Sequence, residues 1–244
     1  MTDDTLKGRS AVVTGASGDI GRAIGVRLAS RGARLCLVGR NAERLDAAAR
    51  AAGATGTPVL VQPADLGDDD DIRRLVARIG SELETVDILV HGAGIITPGT
   101  HERAAIDAFD AQYRANVRGP YLLTQMLLPM LRARQGEVIF INSSVGRHAR
   151  GGVGQYAATK HALTAVADSL RDEVNAHGVR VLSLFLGRTA TAGQAEVFAS
   201  EGRPYRPELL MQPDDVAAMV LAALALPRTA EVTDISMRPL RKSY

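Results

Sequence analysis

Short runs in which nearly every residue is apolar alternate along the chain with longer segments whose apolar residues recur at helical spacing. The runs are SAVVTG, ARLCLVG, TPVLVQ, VDILVHG, GEVIFINSS, VRVLSLFLG and EVTDISM. Between them lie alanine-rich amphipathic stretches such as DIGRAIGVRLASRG, NAERLDAAARAAG, DDDIRRLVARIGSELE and YAATKHALTAVADSLRDEVNAHG. A strand that is apolar on both faces has to be covered on both faces. The pattern therefore predicts a doubly wound α/β architecture, a parallel sheet of about seven strands with helices on each side. The stretch from Arg188 to Gln212, RTATAGQAEVFASEGRPYRPELLMQ, breaks the rhythm with glycine, two prolines and mixed polarity. An insertion of this kind after a strand predicts a lid near 188–212. No fixed-period repeat, low-complexity stretch or proline-rich linker divides the chain, so residues 1–244 read as a single domain.

A length of 244 residues with 46% hydrophobic content is ample for a packed core. The formal charge of +2, from 29 basic against 27 acidic residues, supplies no strong field for nucleic acid or anionic membrane. The basic tail RPLRKSY reads as solvated. Cys36, the single cysteine, excludes an intrachain disulfide and reads as a small buried residue. The opening MTDDTLKGRS has no apolar signal segment, and no later run approaches the roughly 18 consecutive apolar residues of a membrane span. These features predict a soluble, cytoplasmic protein with neither nucleic acid nor membrane as a partner.

In a doubly wound sheet, ligands bind beyond the carboxyl ends of the strands, so the residues just after each strand carry the functional expectation. After the first run comes TGASGDIGRAIG, in which Gly15, Gly18 and Gly21 open a helix with GxxGxxG spacing. Such a turn lets the backbone approach a pyrophosphate at the positive end of the helix, and it also fits an ordinary strand-to-helix turn. The second run ends in LVGRN, with Arg40 and no carboxylate before Glu43. An arginine there suits a ribose 2′-phosphate, or simply a surface position. Asp65, after the third run, either meets the adenine edge or caps the helix beginning near Asp68. Tyr156 and Lys160 stand four apart, on one face of a helix. Alone, that spacing also fits a half-buried helix with an exposed lysine.

Taken in order, TGASGDIG, HGAG at 91 to 94, ANVRG, INSS and YAATK resemble the motifs of the short-chain dehydrogenase/reductase family, in its single-domain branch with a Rossmann fold. The resemblance runs over nearly the whole chain. It implies a catalytic set of Ser143, Tyr156, Lys160 and Asn116, with Ser143 on the substrate oxygen and Asn116 holding a water in a proton relay. Lys160 would also bind the nicotinamide ribose. For the cofactor it implies Gly15, Ser17, Gly18, Ile20 and Gly21 in the first turn, then Arg40, Asp65 and Leu66. Gly92, Ala93 and Gly94 follow, then Tyr156 and Lys160, and Gly187, Thr189 and Thr191 after the sixth strand. A tyrosine with a reference pKa of about 10 is a feeble base near neutrality, and a lysine cation one turn away lowers that pKa toward the working range.

The family resemblance implies an oxidoreductase that interconverts a small carbonyl compound and its alcohol by hydride transfer. Arg40 favours NADP(H), with NAD(H) less favoured. A homodimer or homotetramer is also implied, through the helices holding Asn116 and Tyr156. A cofactor-binding redox sensor is the rival from another class, and an epimerase or dehydratase with tightly held nicotinamide is a further enzymatic alternative. Departures from the family pattern are Asp19, expected to point away from the phosphates, His91 and Gly92 in place of two asparagines, and Leu186 in place of a proline before Gly187. The ending EVTDISMRPL also lacks the branch's glycines. His101, His148, His161 and His177 have no metal-ligand spacing, so no metal is expected. His148, Arg150 and Arg188 are candidates for substrate contacts.

Overall fold

The computed structural model describes residues 5–54 and 56–241; the first four residues of MTDDTLKGRS and the last three of RPLRKSY lie outside the described residues. Strand and helix alternate as the hydrophobic pattern predicts. The order is β1 (Ser10–Thr14), α1 (Asp19–Ala29), β2 (Arg34–Gly39), α2 (Ala42–Gly53), β3 (Val59–Pro63), α3 (Asp69–Glu82), β4 (Ile88–His91), α4 (Ile106–Tyr113) and α5 (Gly119–Ala133). Then come β5 (Glu137–Ser143), α6 (Gly154–Val174), β6 (Arg180–Leu186), α7 (Ala192–Ser200), α8 (Pro213–Leu224) and β7 (Asp234–Met237).

Among the described residues the seven strands form one parallel sheet in the order β3-β2-β1-β4-β5-β6-β7. The winding reverses direction between β1 and β4. Thr14 pairs in register with both Val38 of β2 and His91 of β4, so the three strands end level and open a crevice at that switch point.

The two-residue period of a strand explains why its runs are apolar throughout. Ala11 and Val13 of β1 join one core with Ile24 of α1 and Val216 of α8, whereas Val12 joins the other with Leu75 of α3, Leu127 of α5 and Leu163 of α6. Cys36 is buried in the second core, and burial pushes its thiol up to about 12, which leaves it an inert packing group. No helix among the described residues is long and apolar enough to cross a membrane.

Two local features shape the crevice. Between α4 and α5 the helix widens into a π turn, Arg114–Arg118, next to Gly119, where a β-carbon would collide with the carbonyl of Leu66. The stretch after β6 leaves the sheet and returns to it. Its base is closed where Ala190 N–H donates to the Met211 carbonyl at 2.7 Å and Met211 N–H to the Arg188 carbonyl at 3.3 Å. A short helix, α7, projects from that base over the crevice end of the sheet.

Candidate active site

The turn after β1 is built around backbone contacts that exclude side chains. Gly15 has φ +72°, and a β-carbon on it would lie 2.6 Å from the backbone of Gly92 and Ala93. A β-carbon on Gly21 would run into the Gly15 carbonyl. Thr14 locks the two loops together: its hydroxyl donates to the Val90 carbonyl at 3.2 Å and accepts from the amides of Gly92 and Ala93 at 3.1 and 3.3 Å. Gly18 occupies the N-cap of α1 with no side-chain cap bond among the described residues, so the first-turn amides and the helix dipole face the crevice. Asp19 is turned onto α7, where its carboxylate accepts the Ala192 N–H at 2.9 Å.

At the end of β2, Ser17 packs against Gly39, where a β-carbon would lie 2.6 Å from the serine hydroxyl. Arg40 follows on the exposed rim. Of the two readings of Asp65, the helix-capping role belongs instead to Asp68, whose carboxylate accepts from Asp70 and Asp71 N–H at 2.8 and 3.0 Å. Asp65 closes a turn by accepting Gly67 N–H at 2.8 Å and lines the same cavity as Arg40.

Tyr156 sits in the first turn of α6 and Lys160 one turn on. The lysine is 4% exposed, donates to the Ile141 carbonyl at 3.1 Å and has its ammonium 5.7 Å from the tyrosine ring centre. Burial lowers the lysine to about 8. For Tyr156 the outcome differs from the sequence expectation: burial raises the phenol to about 12, and the opposing influence is a hydrogen bond with Ser143. Because the ammonium is engaged by a strand carbonyl and the ring is desolvated, the phenol is protonated at neutral pH, the state of a proton donor.

Ser143 reaches Tyr156 because Asn142 staples β5 to α6. The Asn142 amide donates to the Lys160 carbonyl at 3.2 Å and to the Thr164 hydroxyl at 3.0 Å, while its oxygen accepts Ser143 N–H at 2.7 Å. Asn116 is fully buried in the π turn. It donates to the Ile95 carbonyl (2.8 Å) and the Thr159 hydroxyl (3.1 Å) and accepts Ile95 N–H at 2.8 Å, so its amide braces the loop after β4 against α6. His91 faces the core rather than the crevice: it is stacked on Phe140 at 4.9 Å and bonded to Thr124 at 2.7 Å. Burial first, and Lys160 second, push it down to about 3, so it is neutral.

After β6, Gly187 N–H donates to the Met237 carbonyl at 2.8 Å, which continues the pairing of β6 with β7 past Leu186. Thr189 donates to the Gly187 carbonyl at 3.3 Å, and Thr191 caps α7 by accepting Gln194 N–H at 3.0 Å.

Two adjoining cavities collect most of these residues. One, of about 410 Å³, is lined by Ser143, Tyr156, Lys160, Gly187, Thr189 and Thr191, with Ile20 and also the substrate-contact candidates His148, Arg150 and Arg188. The other, of about 170 Å³, is lined by Gly15, Gly18, Arg40, Asp65 and Leu66. Gly92, Ala93 and Gly94 line both. Ser17, Gly21 and Asn116 line neither, and the Asn116 amide is engaged by the backbone of Ile95. Thr14 and Asn142 escaped the sequence reading; the signal for both is a polar residue at the end of an otherwise apolar run.

The family profile described as short chain dehydrogenase matches residues 9–202. The chain is 32% identical over 234 residues to an uncharacterized short-chain type dehydrogenase/reductase of Sinorhizobium fredii, covering 94% of this chain and 90% of that one. It is 32% identical over 240 residues to a glycine betaine reductase of Emericella nidulans, covering 96% of this chain but spanning only 19% of that protein. Among solved structures, a short chain dehydrogenase from Shigella flexneri complexed with NADP superimposes with a TM-score of 0.89 at 30% identity, covering 96% and 98% of the two chains. L-sorbose reductase from Gluconobacter frateurii, complexed with NADPH and L-sorbose, gives 0.88 at 26% identity, covering 96% and 97%.

Proposed function

The chain belongs to the short-chain dehydrogenase/reductase family, and on that premise we propose that it interconverts a small carbonyl compound and its alcohol with NADP(H), Tyr156 acting as the acid in reduction and the base in oxidation. The observation that carries the reading is that Ser143, Tyr156 and Lys160 line one cavity, with the tyrosine held protonated.

The crevice fits a dinucleotide. Gly15 and Gly21 leave no room for side chains where the backbone would meet a pyrophosphate, and the two cavities adjoin along Gly92 to Gly94. Arg40, with no carboxylate beside it at the end of β2, suits a 2′-phosphate, and NADP or NADPH is named for the similar structures above. In this reading Asp65 and Leu66 hold the adenine end, while Lys160, Thr189 and Thr191 hold the nicotinamide end. When bound, the nicotinamide supplies or accepts the hydride.

The chain's own residues handle the proton. Ser143 hydrogen-bonds the substrate oxygen and fixes it beside the phenol of Tyr156. Tyr156 donates its proton to the oxygen as negative charge develops there. The Lys160 cation, buried on the same helix face, stabilises the phenolate left behind. Asn116 orders the loop through Ile95 that borders both cavities and stands next to the proton path. The segment 188–212 is the lid, residues 1–244 form one domain, and the protein works in the cytoplasm as a homodimer or homotetramer.

A panel of ketones, aldehydes and hydroxy compounds followed by NADPH absorbance tests this reading. Turnover with at least one pair, abolished by Tyr156→Phe, is the expected result. Cofactor binding without turnover across the panel would favour a redox sensor instead.

A further inference from the structure

Every charged side chain lining the larger cavity is cationic among the described residues: Arg150, Lys160 and Arg188, with His148 beside them. Lys160 belongs to the catalytic set, whereas the two arginines do not. Arg188 follows β6, is 7% exposed and stacks on Phe198 with its guanidinium carbon 4.3 Å from the ring centre. One of its nitrogens donates to both carboxylate oxygens of Glu201, at 2.8 and 2.6 Å. Arg150, from the loop between Ser143 and Tyr156, donates to the same carboxylate at 3.3 Å, and Arg203 lies 3.9 Å from it. Burial pushes Glu201 upward, but Arg188 and Arg150 outweigh it and hold the group below its usual value, so it is ionised. Among the described residues no acidic side chain lines the cavity, so its charged lining is cationic at the substrate side. Glu201 itself is not among the lining residues; it anchors the arginines from behind.

We propose that Arg150 and Arg188, held by Glu201, select a carbonyl substrate that carries a carboxylate, an oxo acid, for the reaction described above. A guanidinium matches a carboxylate with parallel hydrogen bonds, and a neutral carbonyl compound gains nothing from a cationic lining. Arg150 is the arm that reaches the substrate: its side chain is 46% exposed, and its contact with Glu201 is long, so it can turn toward an incoming carboxylate. Arg188 is the fixed wall. The proposal deepens the oxidoreductase reading and rests on it.

The test compares a series of short oxo acids with their methyl esters, using NADPH and the full-length protein. The unmodified enzyme is expected to favour acid over ester in kcat/KM by about tenfold or more, the scale of one charge-assisted bond at a partly exposed site. Arg150→Gln should collapse that ratio toward one. Glu201→Gln keeps an acceptor for Arg188 but removes the competing charge, and it should raise the ratio. A purely structural cluster would move both variants the same way, which would overturn the proposal, as would a ratio near one in the unmodified enzyme. Thermal unfolding of each variant checks that it is folded. If neither class is turned over, calorimetric titration of acid and ester into the NADP-loaded protein decides: an acid preference lost in Arg150→Gln upholds the proposal while the turnover reading fails, and no preference removes it.

Discussion

At the scale of single residues, Tyr156→Phe keeps the ring that lines the cavity and removes the hydroxyl proposed to move the proton. Turnover should fall by at least about 100-fold, with the dissociation constant for NADPH nearly unchanged, as measured by steady-state kinetics beside fluorescence titration. The paired shifts also set a pH dependence. Burial pushes Lys160 down to about 8, so it is a cation below that pH and neutral above it, while Tyr156, pushed up to about 12, stays protonated through this range in the free enzyme. The kcat/KM for NADPH, which reports the free enzyme, should therefore decline above about pH 8; a decline beginning near 10 would show an ordinary lysine. Arg40→Asp tests the cofactor: a preference for NADPH over NADH of about 10-fold to 150-fold should vanish or reverse. Tyr156 and Lys160 were legible as candidates because their spacing of four belongs to a motif, and Arg40 because it ends the second apolar run with no carboxylate beside it. The raised Tyr156 was not legible, since desolvation depends on how α6 packs against β5 and on Lys160 turning to the Ile141 carbonyl, neither of which a spacing of four encodes.

At the scale of elements, the first six strands were read within a residue or two because continuous apolar runs leave little alternative to a sheet covered on both sides, whereas the less apolar EVTDISM begins three residues before β7. The π turn at Arg114–Arg118 gave no such signal: one extra residue in a helical loop changes neither composition nor amphipathic period, yet it is what buries Asn116. Asp19 is the other element-level surprise. Its sequence position marks the first turn of α1, but its carboxylate ties that turn to the first amide of α7 across 173 residues of chain. Removing the carboxylate in Asp19→Ala should loosen α7 without unfolding the sheet. Limited proteolysis should cut faster within 188–212, while global stability falls by only about 1 kcal/mol, the net contribution of one such bond. Unchanged cleavage would mean that other contacts, the Glu201 cluster among them, hold this segment in place.

At the scale of the whole molecule, the surface of α4 and α5 is where a second copy would fit. Ile106, Tyr113 and Tyr121 are large apolar or aromatic side chains exposed at 68%, 49% and 55%, and all three lie on the two helices that flank the π turn holding Asn116. Aromatic anchors spread over adjacent helices suit an isologous two-fold contact, in which each copy covers the other's anchors. Burying them would also clamp the π turn from outside, and through Asn116 the loop at Ile95 and the face of α6 at Thr159. The expected species in light scattering at micromolar concentration is therefore a dimer or a tetramer built from it. Ile106→Asp with Tyr121→Asp should shift the protein to a monomer that retains the far-ultraviolet circular dichroism of the parent. If the interface braces the site as the hydrogen bonds imply, the monomer should lose turnover more than it loses cofactor affinity. A double variant that stays associated would assign the contact to another face of the molecule.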